Sequence, residues 1–274
     1  MKTFGAIEAG GTKWICGVGS GPDHLEKIQI PTTTPDETIA AAIAFFTGRR
    51  IAALGIGSFG PVDLERGYIT STPKAGWQNT DVVGPIQTAL QIPVAFDTDV
   101  NAAVMGESRW GAAQNVSNCI YLTIGTGVGG GAIVDGHRMH GVTHPEMGHI
   151  RIPHDGLFAG VCPFHGDCLE GLASGPAIQK RWGKTASELN ADHPAWPIEA
   201  RLLALAIANF AFTLSPACVI LGGGVMQQSH LYPIIREELT ALLNGYVTQP
   251  SVLAPGLGGR SGILGALALA EALV

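Results

Sequence analysis

One pattern occurs twice in this sequence: an apolar strand, a glycine-rich turn and a returning strand. The first copy covers residues 4–19 around Gly10-Gly11, and the second covers residues 119–134 around a turn at 125–131. β-Branched and apolar residues follow both turns, which favours hairpins over helices. Because the copies lie about 115 residues apart, they predict two similar units, each opening with a hairpin.

Strands and helices alternate around these hairpins. Thr34-Pro35 predicts a helix start with a threonine cap, and Asp81 predicts the cap of a second helix. The alternation is typical of an α/β fold with a largely parallel sheet. The expected strands are 51–57, 93–96 and 218–221, and the expected helices are about 34–48, 101–110, 175–182, 197–214 and 261–273. We predict a first domain over 1–114 and a second over 115–260, with a C-terminal helix at about 261–274 packing back onto the first.

Composition narrows the functional classes. The chain is 46% apolar and carries a net charge of −6, which disfavours a nucleic-acid partner. We expect no membrane span, because no apolar run approaches ~20 residues, and no secretory signal, because Met1 leads directly into a strand. Five scattered cysteines indicate a reducing, cytoplasmic setting rather than a disulfide framework.

A cluster of metal-ligand residues lies in the second half, within residues 149–170 (the metal loop). Three of its ligands have the spacing Cys-x2-His-x2-Cys, and a histidine precedes them. Four nitrogen and sulfur donors predict a structural zinc site with no open position for water. The alternative is two buried cysteines and two surface histidines. The predicted ligands are His149, Cys162, His165 and Cys168.

The two turns carry the residue types that hold phosphate oxygens: exposed backbone N–H groups, hydroxyls and a lysine. Neither turn opens a helix, so the first is not a Walker A loop and the second is not a dinucleotide fingerprint. A purely structural hairpin is the alternative for each turn. The residues concerned are Gly10, Gly11, Thr12 and Lys13 in the first turn, and Gly125, Thr126 and Gly127 in the second.

Asp97-Thr98-Asp99 follows a strand, at the end where α/β sheets bind ligands. One of these aspartates could accept a proton from an attacking hydroxyl. The alternative is that Asp99 only caps the following helix. A third glycine-rich segment, residues 222–224, follows another strand and leaves room for a flat ring, unless it is simply a strand-to-helix turn.

Taken in order, these motifs resemble the ROK family of sugar kinases, within the actin-like ATPase superfamily, and its bacterial fructokinase branch. The resemblance runs nearly end to end. It implies two ribonuclease H-like lobes with a cleft between them. It rests on the segments 8–13, 31–35, 58–61, 72–74, 97–101, 125–127, 144–149, 162–168, 170–176 and 222–226.

The resemblance also implies roles. Asp99 is expected to be the general base. Residues 10–13, 125–127 and Pro176 are expected to bind ATP, together with an adenosine-binding strand end formed by Gly222, Gly223, Gly224, Val225 and Met226. The sugar-binding residues are expected to be Gly60, Thr98, Asp99, Glu146, His149 and Glu170.

The implied reaction is ATP-dependent phosphorylation of D-fructose to fructose 6-phosphate, with Mg2+ accompanying ATP and zinc serving structure. His165 stands where most of the family has a thiolate, and this variant resembles the fructokinase branch. Glu8 stands where the wider group has aspartate, which leaves magnesium handling open. The resemblance also implies a homodimer. The alternatives are a glucose or mannose kinase, or a sugar sensor without catalysis.

Overall fold

The computed structural model describes residues 2–274. Its strands are β1 (Phe4–Ala9), β2 (Lys13–Gly21), β3 (His24–Pro31), β4 (Leu54–Ser58), β5 (Val62–Asp63), β6 (Tyr68–Ile69), β7 (Thr80–Asp81), β8 (Val94–Thr98), β9 (Cys119–Ile124), β10 (Val128–Val134), β11 (His137–Arg138), β12 (Cys218–Gly222) and β13 (Ser251–Leu253). Its α-helices are α1 (Pro35–Phe46), α2 (Val83–Leu90), α3 (Asp99–Trp110), α4 (Leu169–Ala173), α5 (Gly175–Trp182), α6 (Ala195–Leu214), α7 (Leu231–Leu243) and α8 (Ser261–Glu271).

The chain divides into two compact units. The first contains the residues up to Gln114 together with Arg138–His144 and Gly256–Val274, and the second contains Asn115–His137 and Pro145–Pro255. The first unit has a five-stranded sheet of order β3-β2-β1-β4-β8, and the second has one of order β11-β10-β9-β12-β13. The strand order is the same in both, which confirms the predicted α/β fold with two similar units.

Both sheets are mixed rather than largely parallel. In the first sheet β1 is antiparallel to β2 and parallel to β4, and β8 continues the parallel part. In the second sheet β9 is antiparallel to β10 and parallel to β12. The antiparallel pairs are the predicted hairpins, and the parallel strands follow crossover connections.

The core of the first unit depends on close packing of α8. This helix contacts α3, β1 and β4. A Cβ atom on Gly265 would collide with the Ala102 carbonyl of α3, and one on Gly55 would collide with the Ala266 carbonyl of α8. Glycine at both positions therefore lets helix and sheet backbones approach each other closely.

The core of the second unit contains α6, the longest helix among the residues described. By its length of 20 residues and mean hydropathy of 1.4 alone, this helix could cross a membrane. However, 56% of that apolar window is buried in the protein, and α6 packs on α4 and α7. These are properties that the core helix of a globular unit also has.

One predicted helix cap differs in detail. The N-cap of α2 is Val82 rather than Asp81. Asp81 still provides the acceptor, because its Oδ1 accepts a hydrogen bond of 2.8 Å from Gly84 N. Asp81 therefore makes the predicted capping hydrogen bond, although it lies one residue before the N-cap.

Candidate active site

The parallel strands of the first sheet bring three predicted site segments to one edge. Ala9 of β1 pairs with Ser58 of β4, and Ser58 pairs with Thr98 of β8. The three strands therefore end in register at their carboxyl ends, where α/β sheets bind ligands. The turn at 10–13, the loop containing the half-buried Gly60 and the start of α3 all leave from this edge.

The first glycine-rich turn joins β1 to β2. Gly10 N donates to Lys13 O over 3.0 Å, and Thr32 Oγ1 donates to Gly10 O over 2.7 Å. Gly11, Thr12 and Lys13 are exposed, and a Cβ at Gly11 would meet no atom within 4 Å. The turn thus presents open backbone to solvent, as a phosphate-binding turn must.

Glu8 lies two residues before this turn and is half-buried. Burial raises the pKa of Glu8, opposed by the charge of Lys13 and by a hydrogen bond from the Ile263 backbone. A Cβ on Gly262 would lie 2.6 Å from the Glu8 carboxyl carbon. Glycine at this position, in the first turn of α8, therefore leaves room for the Glu8 side chain. Oε2 of Glu8 has no hydrogen-bond partner among residues 2–274.

Asp97 and Asp99 have different environments, although they are only two residues apart. Asp97 is 1% exposed. Its Oδ2 accepts from Arg138 over 2.8 Å and lies 3.0 Å from His140 Nε2, and its Oδ1 accepts from Asn101 Nδ2 over 2.9 Å. A carboxylate enclosed by these donors serves structure rather than proton transfer.

Asp99 is the first residue of α3 and is half-buried. The cap of α3 is Thr98, whose Oγ1 accepts from Asn101 N over 3.2 Å. The interpretation of Asp99 as the cap is therefore wrong. One Asp99 oxygen, Oδ1, accepts from Val100 N over 2.8 Å. Thr98 itself is only 4% exposed, and its hydroxyl already caps α3. Little of its side chain is therefore accessible for the predicted contact with substrate.

Arg138 and His140 were not singled out in the sequence. Both belong to the short segment 138–144, which is part of the first unit although its neighbours on both sides belong to the second. The only signal in the sequence is indirect: a buried aspartate such as Asp97 requires donors, and these lie 41 and 43 residues further on. Sequence spacing alone does not identify them.

The second sheet has an equivalent carboxyl edge. Gly222 of β12 pairs with Thr123 of β9, so the turn after β9 and the glycines after β12 leave the sheet together. The turn itself is 125–127, closed by Gly125 N donating to Gly127 O over 2.8 Å. It is shorter than the predicted turn of 125–131, because β10 already begins at Val128.

The start of α5 lies beside this second turn. Gly175 N donates to Gly125 O over 2.8 Å, and Ser174 caps α5 by accepting from Ala177 N. Pro176 is exposed in the first turn of the helix, and Thr126 is also exposed. A helix N-terminus next to a glycine-rich turn favours anion binding.

The predicted adenosine segment lies at the same edge. Gly223 has φ of +90°, a conformation that favours glycine, and its Cα packs against the Ile124 backbone. Gly223 and Gly224 are exposed, whereas Val225 and Met226 are 2% and 5% exposed. The exposed backbone of 223–224 is the part that a flat ring could lie against. The side chains of Val225 and Met226 belong to the core.

Glu170 connects the metal loop to the second turn. Its Oε2 accepts a hydrogen bond of 3.0 Å from Val128 N. A Cβ on Gly127 would lie 2.5 Å from the same oxygen, so the carboxylate occupies the space that a side chain would need. Glu146 is exposed, at the start of the short 3-10 helix Met147–His149.

The four predicted metal ligands converge in the second unit. Their donor atoms all lie within 4.8 Å of one another. Nδ1 of His149 is 3.2 Å from Nδ1 of His165, 3.4 Å from Cys168 Sγ and 3.7 Å from Cys162 Sγ. A tetrahedron with zinc–nitrogen bonds of about 2.0 Å and zinc–sulfur bonds of about 2.3 Å has edges of about 3.3–3.8 Å, and the three distances from His149 are close to these edges.

A tight hairpin holds two of these ligands. Cys162 N donates to Gly166 O over 3.2 Å and Gly166 N donates back to Cys162 O over 2.9 Å, with Gly166 in the left-handed region at φ +64°. Arg151 and His154 both bind Asp167, next to Cys168. The alternative interpretation of two buried cysteines and two surface histidines does not explain this convergence. The site could hold a metal ion.

A groove of about 500 Å³ lies elsewhere, between α1 and α2. Its lining includes Ile39, Ile43 and Pro85 and contains none of the predicted site residues. The chemistry-bearing residues therefore lie at the sheet edges rather than in this groove.

Two units of this strand order, each with a glycine-rich turn at the carboxyl edge of its sheet, define the actin-like ATPase (ribonuclease H-like) fold. The chain belongs to the ROK family, whose model matches residues 4–272.

Known proteins are similar over nearly the whole length. The chain is 45% identical to a putative fructokinase of Bacillus subtilis (98% of this chain, 95% of that protein) and 47% identical to a fructokinase of Pediococcus pentosaceus (98% of each). A ROK family glucokinase from Streptomyces griseus, solved with glucose and AMPPNP, superposes with a TM-score of 0.82 at 28% identity, covering 98% of this chain and 99% of that one.

Proposed function

We propose that this protein is a fructokinase that transfers the γ-phosphoryl group of ATP to the 6-hydroxyl of D-fructose. The observation that carries the proposal is the full-length similarity to fructokinases at 43–47% identity. The alternative is a broader hexose kinase, favoured by the structural similarity to a glucokinase that binds glucose.

In the proposed reaction Asp99 is the general base. Its carboxylate accepts the proton of the 6-hydroxyl while the hydroxyl oxygen attacks the γ-phosphorus, and the bond to the β-phosphate oxygen breaks with ADP as leaving group. The contrast with Asp97 supports this role, because Asp97 is enclosed by donors whereas Asp99 is half-buried at a sheet edge. The base is thus the second aspartate of the motif.

ATP binding is assigned to the two turns, the start of α5 and the strand end at 222–226. Their exposed backbone N–H groups would hold the phosphates, and Lys13 adds positive charge. Mg2+, which takes oxygen ligands, would neutralise phosphate charge when bound with ATP. Glu8 is the candidate carboxylate on the protein side, since its Oε2 has no partner among residues 2–274.

Sugar binding is assigned to Gly60, Thr98, Glu146, His149 and Glu170 together with Asp99. His149 would use Nδ1 for zinc, leaving its other ring nitrogen for a sugar hydroxyl. The metal is structural in this proposal, because four protein ligands fill a tetrahedral ion. We propose that the two compact units act as the two lobes of the enzyme, that the protein is a homodimer and that it is cytoplasmic.

The decisive experiment compares initial rates with fructose, mannose and glucose, using ATP and Mg2+ in a coupled ADP assay. The expected result is the highest kcat/KM with fructose. Asp99→Asn should keep its fold, because Thr98 caps α3, and lose about 10²- to 10⁴-fold in kcat. A wild-type enzyme that prefers glucose, or an Asp99→Asn variant with normal turnover, would contradict the corresponding part of the proposal.

A further inference from the structure

Glu170 is a proposed sugar ligand, but it also contacts the end of the second turn, which is proposed to bind ATP. As a sugar-binding residue it should touch fructose, yet its Oε2 accepts a hydrogen bond from Val128 N, directly after the turn 125–127. Only one of its two oxygens is used in this bond, and a carboxylate offers about four lone-pair sites. The same side chain can therefore bind a sugar hydroxyl and the backbone that follows the phosphate turn.

Gly127 leaves space for this carboxylate because it has no side chain. A Cβ at residue 127 would lie 2.5 Å from Glu170 Oε2, closer than real Cβ atoms approach other atoms. By contrast, a Cβ at Gly125 would meet only Gly224 N, at an ordinary distance of 3.8 Å. Within one turn, therefore, a side chain at 127 would displace the Glu170 carboxylate, whereas a side chain at 125 would not.

The backbone of Val128 is held from both sides by segments that carry predicted sugar ligands. Its N–H binds Glu170, and its carbonyl lies against Gly148, where a Cβ would collide with it. Gly148 stands between Glu146 and His149 in the chain. The position of the second turn is thus fixed by the residues that are proposed to hold the sugar.

We propose that Glu170 is a positioning residue that couples the sugar site to the second phosphate turn. This inference rests on the proposed function. Fructose bound to one Glu170 oxygen restricts the carboxylate, the carboxylate restricts Val128 N–H, and the turn 125–127 is ordered for ATP. Because coupling between two binding sites is reciprocal, fructose raises the affinity for ATP by the same factor by which ATP raises the affinity for fructose.

The test measures the dissociation constant of AMPPNP with Mg2+ by calorimetry, without fructose and with saturating fructose. The coupling ratio is the dissociation constant without fructose divided by the dissociation constant with fructose. In the wild type we expect this ratio to be at least about 5, the lower end of typical coupling. Gly127→Ala should bring this ratio close to one, because the new methyl group displaces the carboxylate. Gly125→Ala is the matched control: it alters the same turn and changes both dissociation constants alike, so its ratio should stay at the wild-type value.

Two further measurements make the result independent of one variant. Glu170→Gln keeps an oxygen acceptor for Val128 N–H and should keep part of the ratio, whereas Glu170→Ala should lose it. In the wild type, hydrogen exchange of residues 125–128 should slow when fructose alone is added. Melting temperatures and bound metal are measured for every variant, so that loss of the metal loop is recognised.

The outcomes separate this inference from the proposed function. A wild type that does not phosphorylate fructose refutes the proposed function itself. A wild type that phosphorylates fructose but shows a ratio of one, or unchanged exchange at 125–128, overturns the coupling alone. A wild-type ratio in Gly127→Ala, or an equal loss of the ratio in Gly125→Ala, also overturns it.

Discussion

The two units bury their polar groups in different ways. In the first unit, Asp97 and Glu107 are 1% and 0% exposed and are surrounded by donors from the unit itself. In the second unit, Glu199 is 3% exposed with no hydrogen-bond partner for Oε1 among residues 2–274, and the metal loop brings four donor atoms together. Donors of the first unit thus surround the carboxylates of Asp97 and Glu107. In the second unit, by contrast, Oε1 of Glu199 lacks a partner among residues 2–274, and the four clustered donor atoms form a site that could hold a metal ion.

The largest effect is expected from removing the metal. Cys168→Ala deletes one ligand, and we expect bound zinc to fall from one per chain to almost none. Loss of a metal site is among the few changes that exceed about 4 kcal/mol, and about 1 kcal/mol shifts the Tm of a domain this size by about 2–4 °C. The Tm should therefore fall by about 10 °C. The KM for fructose should rise, because Glu146 and Glu170 flank the four ligands in the chain.

Elemental analysis and thermal unfolding measure this outcome. Cys119→Ala, a buried cysteine in the same unit outside the metal loop, is the matched control and should keep its zinc. If the purified wild type contains no zinc, or if Cys168→Ala retains it, the description of the second unit is wrong.

The next largest effect is expected at Glu107 in the first unit. Its carboxylate accepts from the backbone of Ala112, Gly256 and Leu257 and from the hydroxyl of Ser261, at 2.7–3.1 Å. The bonds from Leu257 N and Ser261 Oγ are fully buried, and each buried donor left without an acceptor costs about 1–3 kcal/mol. Glu107→Ala should therefore lower the free energy of unfolding by about 3–4 kcal/mol, within the range for two such donors. Urea denaturation measures this loss.

Glu107→Gln should lose less, because one oxygen acceptor remains. The exposed Glu65→Ala should change stability by less than about 0.5 kcal/mol. A Glu107→Ala protein as stable as the Glu65 control would show that the first unit does not depend on its internal donors.

A smaller effect is expected for Arg138→Met. Removing one partner of a buried ion pair can cost about 3–5 kcal/mol, but Arg138 is 32% exposed and Asp97 keeps its contacts with His140 and Asn101. We therefore expect a loss of about 2 kcal/mol. We also expect a lower kcat, because Asp97 accepts a hydrogen bond from Asn101 in the first turn of α3, the helix that begins with Asp99. Arg138→Lys should restore part of both. An unchanged kcat would limit the role of Asp97 to stability.

The sequence predicts those features that depend on local chemistry. Both hairpins follow from glycines between β-branched runs, and the ligands at 162–168 follow from their short spacing. Strand β3 and helix α7 are not predicted: β3 is an edge strand whose residues are mostly exposed, so it lacks apolar alternation. The contacts of Asp97 with Arg138 and of Glu170 with Val128 join residues more than forty positions apart. Only the folded sheet order brings such pairs together.

The smallest effect concerns Glu199 in α6. Burial raises the pKa of Glu199 well above its usual range, and the charge of Arg181 opposes the shift. Because its pKa is higher in the folded state than in the unfolded state, folding takes up a proton at pH values between the two. The stability that depends on this protonation is complete below the unfolded pKa and is lost as pH rises through the folded pKa.

Glu199→Gln removes this proton uptake while keeping the size and hydrogen-bonding groups of the side chain. We expect the variant and the wild type to have similar Tm near pH 4.5, and the variant to become the more stable of the two as pH rises towards 7.5. The exposed Glu237→Gln is the control and should show no such trend. Tm profiles of the three proteins over this range test the prediction. If the wild type instead gained stability relative to Glu199→Gln as pH rose, Glu199 would be ionised and paired in the fold. The second unit would then resemble the first.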